Sequence, residues 1–461
     1  MKKIISLLLF IVLIILALPF SAKARTIGSA AWDYNGTTLT ISGNGITNEA
    51  FIDSPEWQDT VTEVIIKKGI TGIGEYAFYG CKNLKKITIP DTVTSIGHDA
   101  FKECESLVEV NLPKNLELIQ YQTFYGCKNL EKLELPKSLT KIEASAFFGC
   151  EKLKNIAIPK SVSYIGYDAF YGCEALTELT VPNGVNFIAF QTFAGCKNIT
   201  KLEIPDSVKR IEYRAFADCN KLKEINIPEG VTTIGYQAFQ GCKNLTEVKL
   251  PSTLISIGYQ AFSECIRIRK VNIPEQVKRI DYGAFEYCGS LREIVIPDSV
   301  VSMGDRVFAR CYELGSAKLS ENLIQIGEMA FYECKKLREL KIPDSVEKIG
   351  VSAFENCEML EQVSIGKSIK LIDRNVLEGT LVSNIYYADK KDVWETIEKG
   401  ENPKLDSAKV HYKSTEMPKL APLEGDKEDF GTVLIILISA AVIICVGGAL
   451  VTVLTIKKKK T

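Results

Sequence analysis

The sequence predicts a repeat solenoid of parallel β-strands with short helical turns, mainly β and irregular, followed by a single C-terminal transmembrane helix. Three observations predict this architecture. Cysteines recur every 23 residues from Cys81 to Cys357, the residues between them follow one template, and an uncharged apolar run extends from Val433 to Ile456. A fixed period of 20–50 residues is the signature of a repeat fold, and an apolar run of about 20 residues indicates a membrane span.

The template is C-x-x-L-x-x-L-x-L-P-x-S-V-x-x-I-G-x-x-A-F-x-x. In the first complete copy, Ile87 and Ile89 alternate with Lys86 and Thr88, which is the period-two pattern of a strand with one buried face. Pro90 ends that strand because proline cannot donate to a ladder. The later Val, Ile and Ala-Phe positions return the chain to the core. A single unit cannot enclose a core, so neighbouring units are expected to stack.

The two ends of the chain carry different expected segments. Residues 1–24 have a basic start, an apolar stretch and an Ala-x-Ala cleavage site, and they predict a signal peptide, with an uncleaved anchor as the alternative. Residues 25–57 predict an N-terminal β cap, with a hairpin turn at Asn35-Gly36. Residues 58–385 hold the solenoid, with about 13 to 14 repeats. The remaining expected segments are a C-terminal cap (386–413), a stalk (414–432), a transmembrane helix (433–456) and a basic tail (457–461).

The expected membrane span fixes an orientation. Its 24 residues reach about 36 Å as a helix, which is enough to cross a hydrocarbon core of about 30 Å. Lys457–Lys460 follow directly, and a basic cluster beside a span marks the cytoplasmic side. The sequence therefore predicts a single-pass protein of the cell membrane with its N-terminus and its solenoid outside the cell.

The stretch CKNLKKITIPDTVTSIGHDAF closely resembles the BspA-type (treponemal-type) leucine-rich repeat, which also has 23 residues with Cys, LPxSL, IG and AF at these offsets. The resemblance covers residues 61–385. It implies a surface or secreted protein that functions in adhesion and recognition, and it leaves the ligand open. Departures from the template cluster at Met303, Val307, Ala317 and Ser320, where a local irregularity or bend is expected.

The thirteen regularly spaced cysteines have three possible interpretations. Many extracellular cysteines are paired in disulfides. Here each cysteine is the first apolar anchor of its repeat, and an odd number would leave one unpaired, so a reduced, buried packing ladder is favoured. Zinc is not expected because no C-x-x-C pair or nearby histidine completes a tetrahedral set. We expect no metal and no cofactor.

Charges argue against several partner classes. The formal net charge is −1, so no basic footprint for nucleic acid is present, and we expect no nucleic-acid partner. The first exposed strand position reads Lys86, Glu109, Lys132, Asn155, Glu178, Lys201, Glu224, Glu247, Lys270 and Glu293. Stacked neighbours would mostly pair with each other, which predicts a solvated face.

A row of aromatic residues is the sharpest functional indication. The position after the Ile-Gly corner holds Tyr121, Tyr167, Phe190, Tyr213, Tyr236, Tyr259 and Tyr282, with Ala144 as an interruption. Tyrosine is enriched in binding hot spots, and a flat aromatic strip would suit sugar rings or a protein. The alternative is an aromatic ladder that only covers the corners. A second, partial row precedes the cysteines, at Tyr79, Tyr125, Phe148, Tyr171 and Tyr332.

No catalytic constellation stands out from the repeats, so we expect a protein that is not an enzyme. The expected function is adhesion or recognition at the cell surface, through contacts with an extracellular protein or glycan. Two alternatives remain: a structural scaffold of the cell envelope and a module for polysaccharide capture.

Overall fold

The computed structural model describes residues 25–27, 30–47 and 55–420. Residues up to Thr415 belong to one compact unit, a β-solenoid of about 16 turns with a 23-residue repeat. The count exceeds 13–14 because turns at both ends lack a cysteine. We call each 23-residue unit a rung and name it by its cysteine. Residues 416–420, the described part of the second unit, contain no helix or strand.

The solenoid begins with an antiparallel hairpin. Strand Ala30–Tyr34 pairs with Arg25–Ile27 on one side and with Thr38–Gly43 on the other. The Asn35 side chain accepts hydrogen bonds from the backbone amides of Thr37 and Thr38, which closes the turn. Strand Thr38–Gly43 then pairs in parallel with Glu63–Ile66, so the hairpin covers the first turn of the solenoid. A short helix, Pro55–Gln58, lies between them.

Two columns of short parallel strands run along the solenoid. The first ladder follows each Leu-x-x-Leu segment. Its strands after Glu63–Ile66 are Lys86–Thr88, Glu109–Asn111, Lys132–Glu134, Glu178–Thr180, Lys201–Glu203, Glu224–Asn226, Glu247–Lys249, Lys270–Val271, Glu293–Val295, Ser316–Lys318, Glu339–Ile342, Gln362–Ile365, Asn384–Tyr387 and Lys409–Tyr412.

The second ladder precedes each Ile-Gly corner. Its strands are Gly45–Thr47, Ile70–Ile73, Ser95–Ile96, Leu118–Ile119, Lys141–Ile142, Tyr164–Ile165, Phe187–Ile188, Arg210–Ile211, Thr233–Ile234, Ser256–Ile257, Arg279–Ile280, Ser302–Met303, Gln325–Ile326, Lys348–Ile349, Leu371–Ile372 and Glu398–Lys399. Two helices, Lys391–Thr396 and Pro403–Ser407, connect the last strands.

The stacked Ala-Phe segments form a third column, the turn column. Three backbone hydrogen bonds join each pair of neighbours. In the Cys150 rung, for example, the amides of Asp168, Phe170 and Gly172 donate to carbonyls one rung further on, at 2.8–3.0 Å. These segments were expected to be short helical turns, but residues 59–390, all of them described, contain no α-helix. Alternate amides of these segments bond to the next rung, whereas an α-helix would direct all of its amides along its own axis.

Phenylalanine and cysteine fill the core beneath the turn column. The phenylalanines at the Phe position of the Ala-Phe segment, one in each rung from Phe78 to Phe354, are all fully buried, and the centroids of successive rings lie 5.2–5.8 Å apart. On the opposite side of the core, the serine or threonine of the Ser-Val pair bonds to the preceding rung. The Ser161 hydroxyl, for example, donates to the carbonyl of Leu139 in the preceding rung, at 2.6 Å. The phenylalanines therefore contact their counterparts in adjacent rungs, and the hydroxyl groups join different template positions of adjacent rungs.

Each turn contains two residues in the left-handed region, four positions apart. In the Cys150 rung these are Asp168 at φ +54° and Gly172 at φ +68°. The second position is glycine in many rungs but Glu264 and Arg310 in others. The corner glycine has a different role. A Cβ on Gly166 would lie 2.5 Å from the amide nitrogen of Ala144, so close packing of neighbouring rungs requires this glycine.

Both ladders are interrupted at the step from the Cys150 rung to the Cys173 rung. Residues 153–159 form no strand, so the first ladder stops at Lys132–Glu134 and resumes at Glu178–Thr180. In the second ladder, Tyr164–Ile165 and Phe187–Ile188 belong to different sheets. Only the turn column, the side-chain stacks and a few loop hydrogen bonds continue across this step.

Further interruptions flank the rung of Cys311, near the departures from the template. The second ladder breaks after Ser302–Met303 and the first after Ser316–Lys318. Met303 remains fully buried. Ser320, which stands where the template has proline, is also buried and donates its hydroxyl to the carbonyl of Val300 at 2.7 Å. The substitutions therefore coincide with a change of hydrogen bonding while the core continues.

Over the described ranges, no helix is long and apolar enough to cross a membrane. The expected signal peptide, transmembrane helix and basic tail, and residues 421–432 of the expected stalk, lie outside those ranges.

Candidate functional site

The cysteine ladder is a packing element in this structure. All thirteen cysteines from Cys81 to Cys357 are free and buried. From Cys104 onward each thiol donates to the carbonyl of a phenylalanine 26 residues earlier, at 3.1–3.4 Å; the pair Cys173–Phe147 is typical. Burial raises the pKa of the Cys173 thiol well above its usual range, and that of Cys357 to about 12. Buried thiols that keep their protons are poor nucleophiles.

The exposed charges of the first ladder largely pair among themselves. The Lys270 ammonium lies 2.7 Å from the carboxylate of Glu293, its partner on the next strand. Lys201 turns instead to Glu203 of its own strand, at 2.8 Å. Glu224 and Glu247, by contrast, face each other as like charges. This mixed pattern offers no large field of one sign to a charged ligand.

The histidines also have protein partners. His98 lies between two carboxylates, with Nε2 at 2.8 Å from Glu75 and Nδ1 at 2.9 Å from Asp99. His411 bonds to the side chain of Asn384 and stacks on Tyr386. In the described part of the chain, no group of three or more His, Cys, Asp or Glu side chains is arranged to hold a metal ion.

The aromatic row follows the edge of the turn column. Its residues occupy the same position in successive rungs, and the backbone carbonyl of each accepts an amide from the rung before, as in Asp168 to Phe190 at 3.0 Å. Tyr121 and Tyr167 are 42% and 47% exposed. Phe190, Tyr236 and Tyr259 are also exposed, while Tyr213 and Tyr282 are half-buried. The structure thus places the seven residues on one line, interrupted at Ala144.

Two pairs of neighbouring rings in the row stack on each other, and a third pair is tilted. Phe190 and Tyr213 are 5.0 Å apart with planes at 15°, and Tyr259 and Tyr282 are 4.9 Å apart at 8°. Tyr236 and Tyr259 are tilted by 43° at 5.9 Å. A ring that stacks on its neighbour has that face covered, so a stacked pair presents ring edges and hydroxyl groups to solvent. The row is therefore not a flat strip of open ring faces.

The second row contains its own stack. Tyr125, Phe148 and Tyr171 form a continuous pile with centroids 4.6 Å apart. Lys102 occupies the equivalent position one rung before Tyr125, and its ammonium lies over the rings of Tyr79 and Tyr125 at 5.8 and 5.2 Å. These contacts cover ring faces, and the five half-buried side chains brace the turns.

Sequence reasoning missed a further aromatic pair beside the row. Tyr164 and Phe187 lie on the second ladder, three residues before Tyr167 and Phe190, with their rings 6.3 Å apart. Lys141 lies over the Tyr164 ring at 5.6 Å, and Arg210 over Phe187 at 5.9 Å. The segments YIGY and FIAF carry the signal, because an aromatic on each side of the corner widens the apolar surface there.

The stacked strands, the buried Leu, Ile and Phe positions and the 23-residue period define a leucine-rich repeat protein. A family model for the BspA-type leucine-rich repeat region matches residues 44–177, 163–292 and 278–396, in six copies. The chain therefore belongs to the BspA-type leucine-rich repeat family. Membership implies protein–protein recognition or adhesion.

A solved structure supports the fold assignment. A leucine-rich repeat protein from Bacteroides ovatus is 26% identical, with a TM-score of 0.68 over 84% of this chain and 99% of that chain. A leucine-rich cell surface protein from Faecalibacterium prausnitzii is 29% identical over 82% of this chain and 98% of that chain, with a TM-score of 0.47. No functionally curated protein is detectably similar to the sequence.

Proposed function

We propose that this protein is a membrane-anchored recognition protein of the cell surface, whose solenoid binds an extracellular protein or glycan through the aromatic row. The observation that carries the proposal is the alignment of exposed aromatic side chains on one edge of a regular array. Rigid aromatic groups supply contact area at a low cost in conformational entropy, and tyrosine is enriched in binding hot spots.

The rest of the surface supports this choice of face. The first ladder carries charges that are mostly paired with each other, so a partner that covered it would have to replace existing ion pairs. The aromatic row has exposed apolar area and hydroxyl groups that hydrogen-bond to a partner without breaking a salt bridge. The anchoring part of the proposal rests on the uncharged run at 433–456 and the lysines that follow it.

The test uses cells that display the full-length chain. They are exposed to polysaccharides, extracellular matrix proteins and other cells, beside cells that display a variant with Tyr167, Tyr213, Tyr236 and Tyr259 changed to alanine. A ligand bound by the natural chain and lost by the variant supports the proposal. The matched control replaces Glu178, Lys201 and Glu247 of the first ladder by alanine and is expected to bind normally.

Two outcomes would contradict the proposal. Binding that survives in the aromatic variant and disappears in the first-ladder control would move the site to the strand face. Binding of no ligand by either chain, together with self-association of the protein, would support the scaffold alternative.

A further inference from the structure

The interruption of the aromatic row at Ala144 leaves a space between two exposed rings. Tyr121 and Tyr167 occupy the row in the rungs before and after Ala144. The backbone amide of Gln122 donates to the carbonyl of Ala144, and that of Ser145 donates to the carbonyl of Tyr167. Ala144 is 5% exposed and forms the floor. No ring from this row fills the position between the two tyrosines. In the neighbouring part of the row, rings such as Phe190 and Tyr213 stack directly on each other.

The width of this space follows from the spacing of the row. Stacked neighbours are separated by 4.9–5.0 Å, so two positions that lie two rungs apart are separated by about 10 Å. Carbon atoms in contact lie about 3.5–4.0 Å apart, and a planar guest between two rings would therefore fill about 7–8 Å. The separation of about 10 Å thus exceeds what a planar guest fills by about 2 Å. A puckered saturated ring, with hydrogens on both faces, is thicker than a planar ring by about that amount.

Polar groups gather beside the space. Glu143 immediately precedes Ala144, and its carboxylate is 3.9 Å from the ammonium of Lys141. The same ammonium lies over the Tyr164 ring, 5.6 Å from its centroid, so Glu143, Lys141 and Tyr164 form one group. Burial raises the pKa of the Tyr164 phenol, and the charges of Glu143 and Tyr167 raise it further. Together they offer donors and acceptors to a ligand that has hydroxyl groups along its edge.

We propose that Tyr121, Ala144 and Tyr167 form a binding site for one pyranose unit of a neutral glycan, held between the two tyrosine rings. Apolar C–H faces of the sugar pack on the rings, and its hydroxyls bond at the rim to Glu143 and Tyr164. A neutral sugar fits the rim because Lys141 and Glu143 already pair with each other. The inference rests on the proposed recognition role of the aromatic row and assigns a ligand class to one position in it.

The test uses the full-length chain in detergent micelles and saturation-transfer NMR. The probes are the methyl glycosides of glucose, galactose, mannose and N-acetylglucosamine, together with linear oligomers of each. The decisive variant is Ala144→Tyr. It restores the residue type that most rungs of the row carry, so it is compatible with the fold, and it fills the space with a ring. Tyr121→Ala removes one wall, and Ile324→Ala is the control, at an exposed apolar residue outside the aromatic row.

The natural chain is expected to show saturable binding of at least one probe. Ala144→Tyr and Tyr121→Ala should weaken it by about tenfold or more, and Ile324→Ala should leave it unchanged. The absence of binding to every probe, or undiminished binding by Ala144→Tyr, would overturn the proposal. Neither result decides the wider recognition role, since that role is tested by the four-tyrosine variant with protein and cell ligands.

Discussion

The thiol of Cys173 donates a hydrogen bond to the backbone carbonyl of Phe147, 3.2 Å away. The same bond recurs in every rung from Cys104 to Cys357, so a protonated thiol is part of the repeat itself. An ionised thiol would lose this donor and would place a charge in an apolar core. The cysteines therefore make the stability of the array sensitive to alkaline pH.

We predict that the free energy of unfolding falls steeply above about pH 8.5. Burial raises the pKa of these thiols: Cys104, Cys127, Cys150, Cys173, Cys196, Cys219, Cys265, Cys288, Cys311, Cys334 and Cys357. Below the unfolded pKa of about 8.5, both states are protonated and stability is complete. Above it, the unfolded thiols ionise while the folded ones keep their protons, so unfolding releases protons.

Each such thiol contributes a slope of about 1.4 kcal/mol per pH unit, and eleven thiols together contribute about 15 kcal/mol per pH unit for complete unfolding. Denaturant titrations followed by circular dichroism between pH 7 and 10 measure this slope. Replacing Cys173 by alanine should reduce it by about 1.4 kcal/mol per pH unit. An unfolding free energy that stays level up to pH 10 would show that the thiols do not retain their protons.

A second prediction concerns the left-handed residue before each cysteine. Gly149 has φ +68°, and a Cβ added there would meet only the Cα of Gly126, at 3.9 Å. Gly149→Ala should therefore cost about 1 kcal/mol from backbone conformation alone. Glu264 occupies the same conformation at φ +60°, so Glu264→Gly should stabilise the protein by about 0.5–1 kcal/mol. Thermal unfolding measures the stability change in each variant. The two changes are expected to have opposite signs, and changes of the same sign would exclude this explanation.

A third prediction concerns the phenylalanine stack. Phe216 is fully buried between Phe193 and Phe239, at 5.5 and 5.4 Å. Phe216→Ala should destabilise the array by about 3–5 kcal/mol, because the neighbouring rungs are held by the same backbone bonds and cannot close the cavity. Tyr236→Ala, on the surface of the adjacent rung, should cost less than about 0.5 kcal/mol. Chemical denaturation measures the free energy of unfolding of both variants. Equal losses of stability would contradict the conclusion that the buried phenylalanine stack stabilises the array.

The template alone predicted the parts of this structure that depend on periodicity. Every copy of the repeat places Cys173 and Phe170, or their equivalents, at the same offset. When the copies stack, the neighbouring rungs cover these side chains on both sides, so they are buried. The conformation at Glu264 could not be read in this way, since the equivalent positions hold glycine, charged residues, Tyr287 and Asn356, so the residue type does not reveal the positive φ. The repeat could therefore be recognised from the sequence, but the positive φ at this position could not.

The candidate site, too, could be predicted only in part from the sequence. The line of seven aromatics followed from the repeat, but the direction of their rings depends on side-chain torsions that a pattern does not contain. The stacking of Tyr259 on Tyr282, and the contact between the rings of Tyr164 and Phe187, needed coordinates. The role of the aromatic row in binding stays a prediction.

The interruption between the Cys150 and Cys173 rungs has a mechanical consequence. In the surface role proposed above, a chain held at one end and bound to a partner at the other would carry tension, and in a serial array of rungs every step would bear the same force. At this step the load falls mainly on the turn column, whose bonds from Asp168, Phe170 and Gly172 must resist it without either ladder. The step would be the first to yield, and its yielding would lengthen the tether while the rungs on either side stay wound.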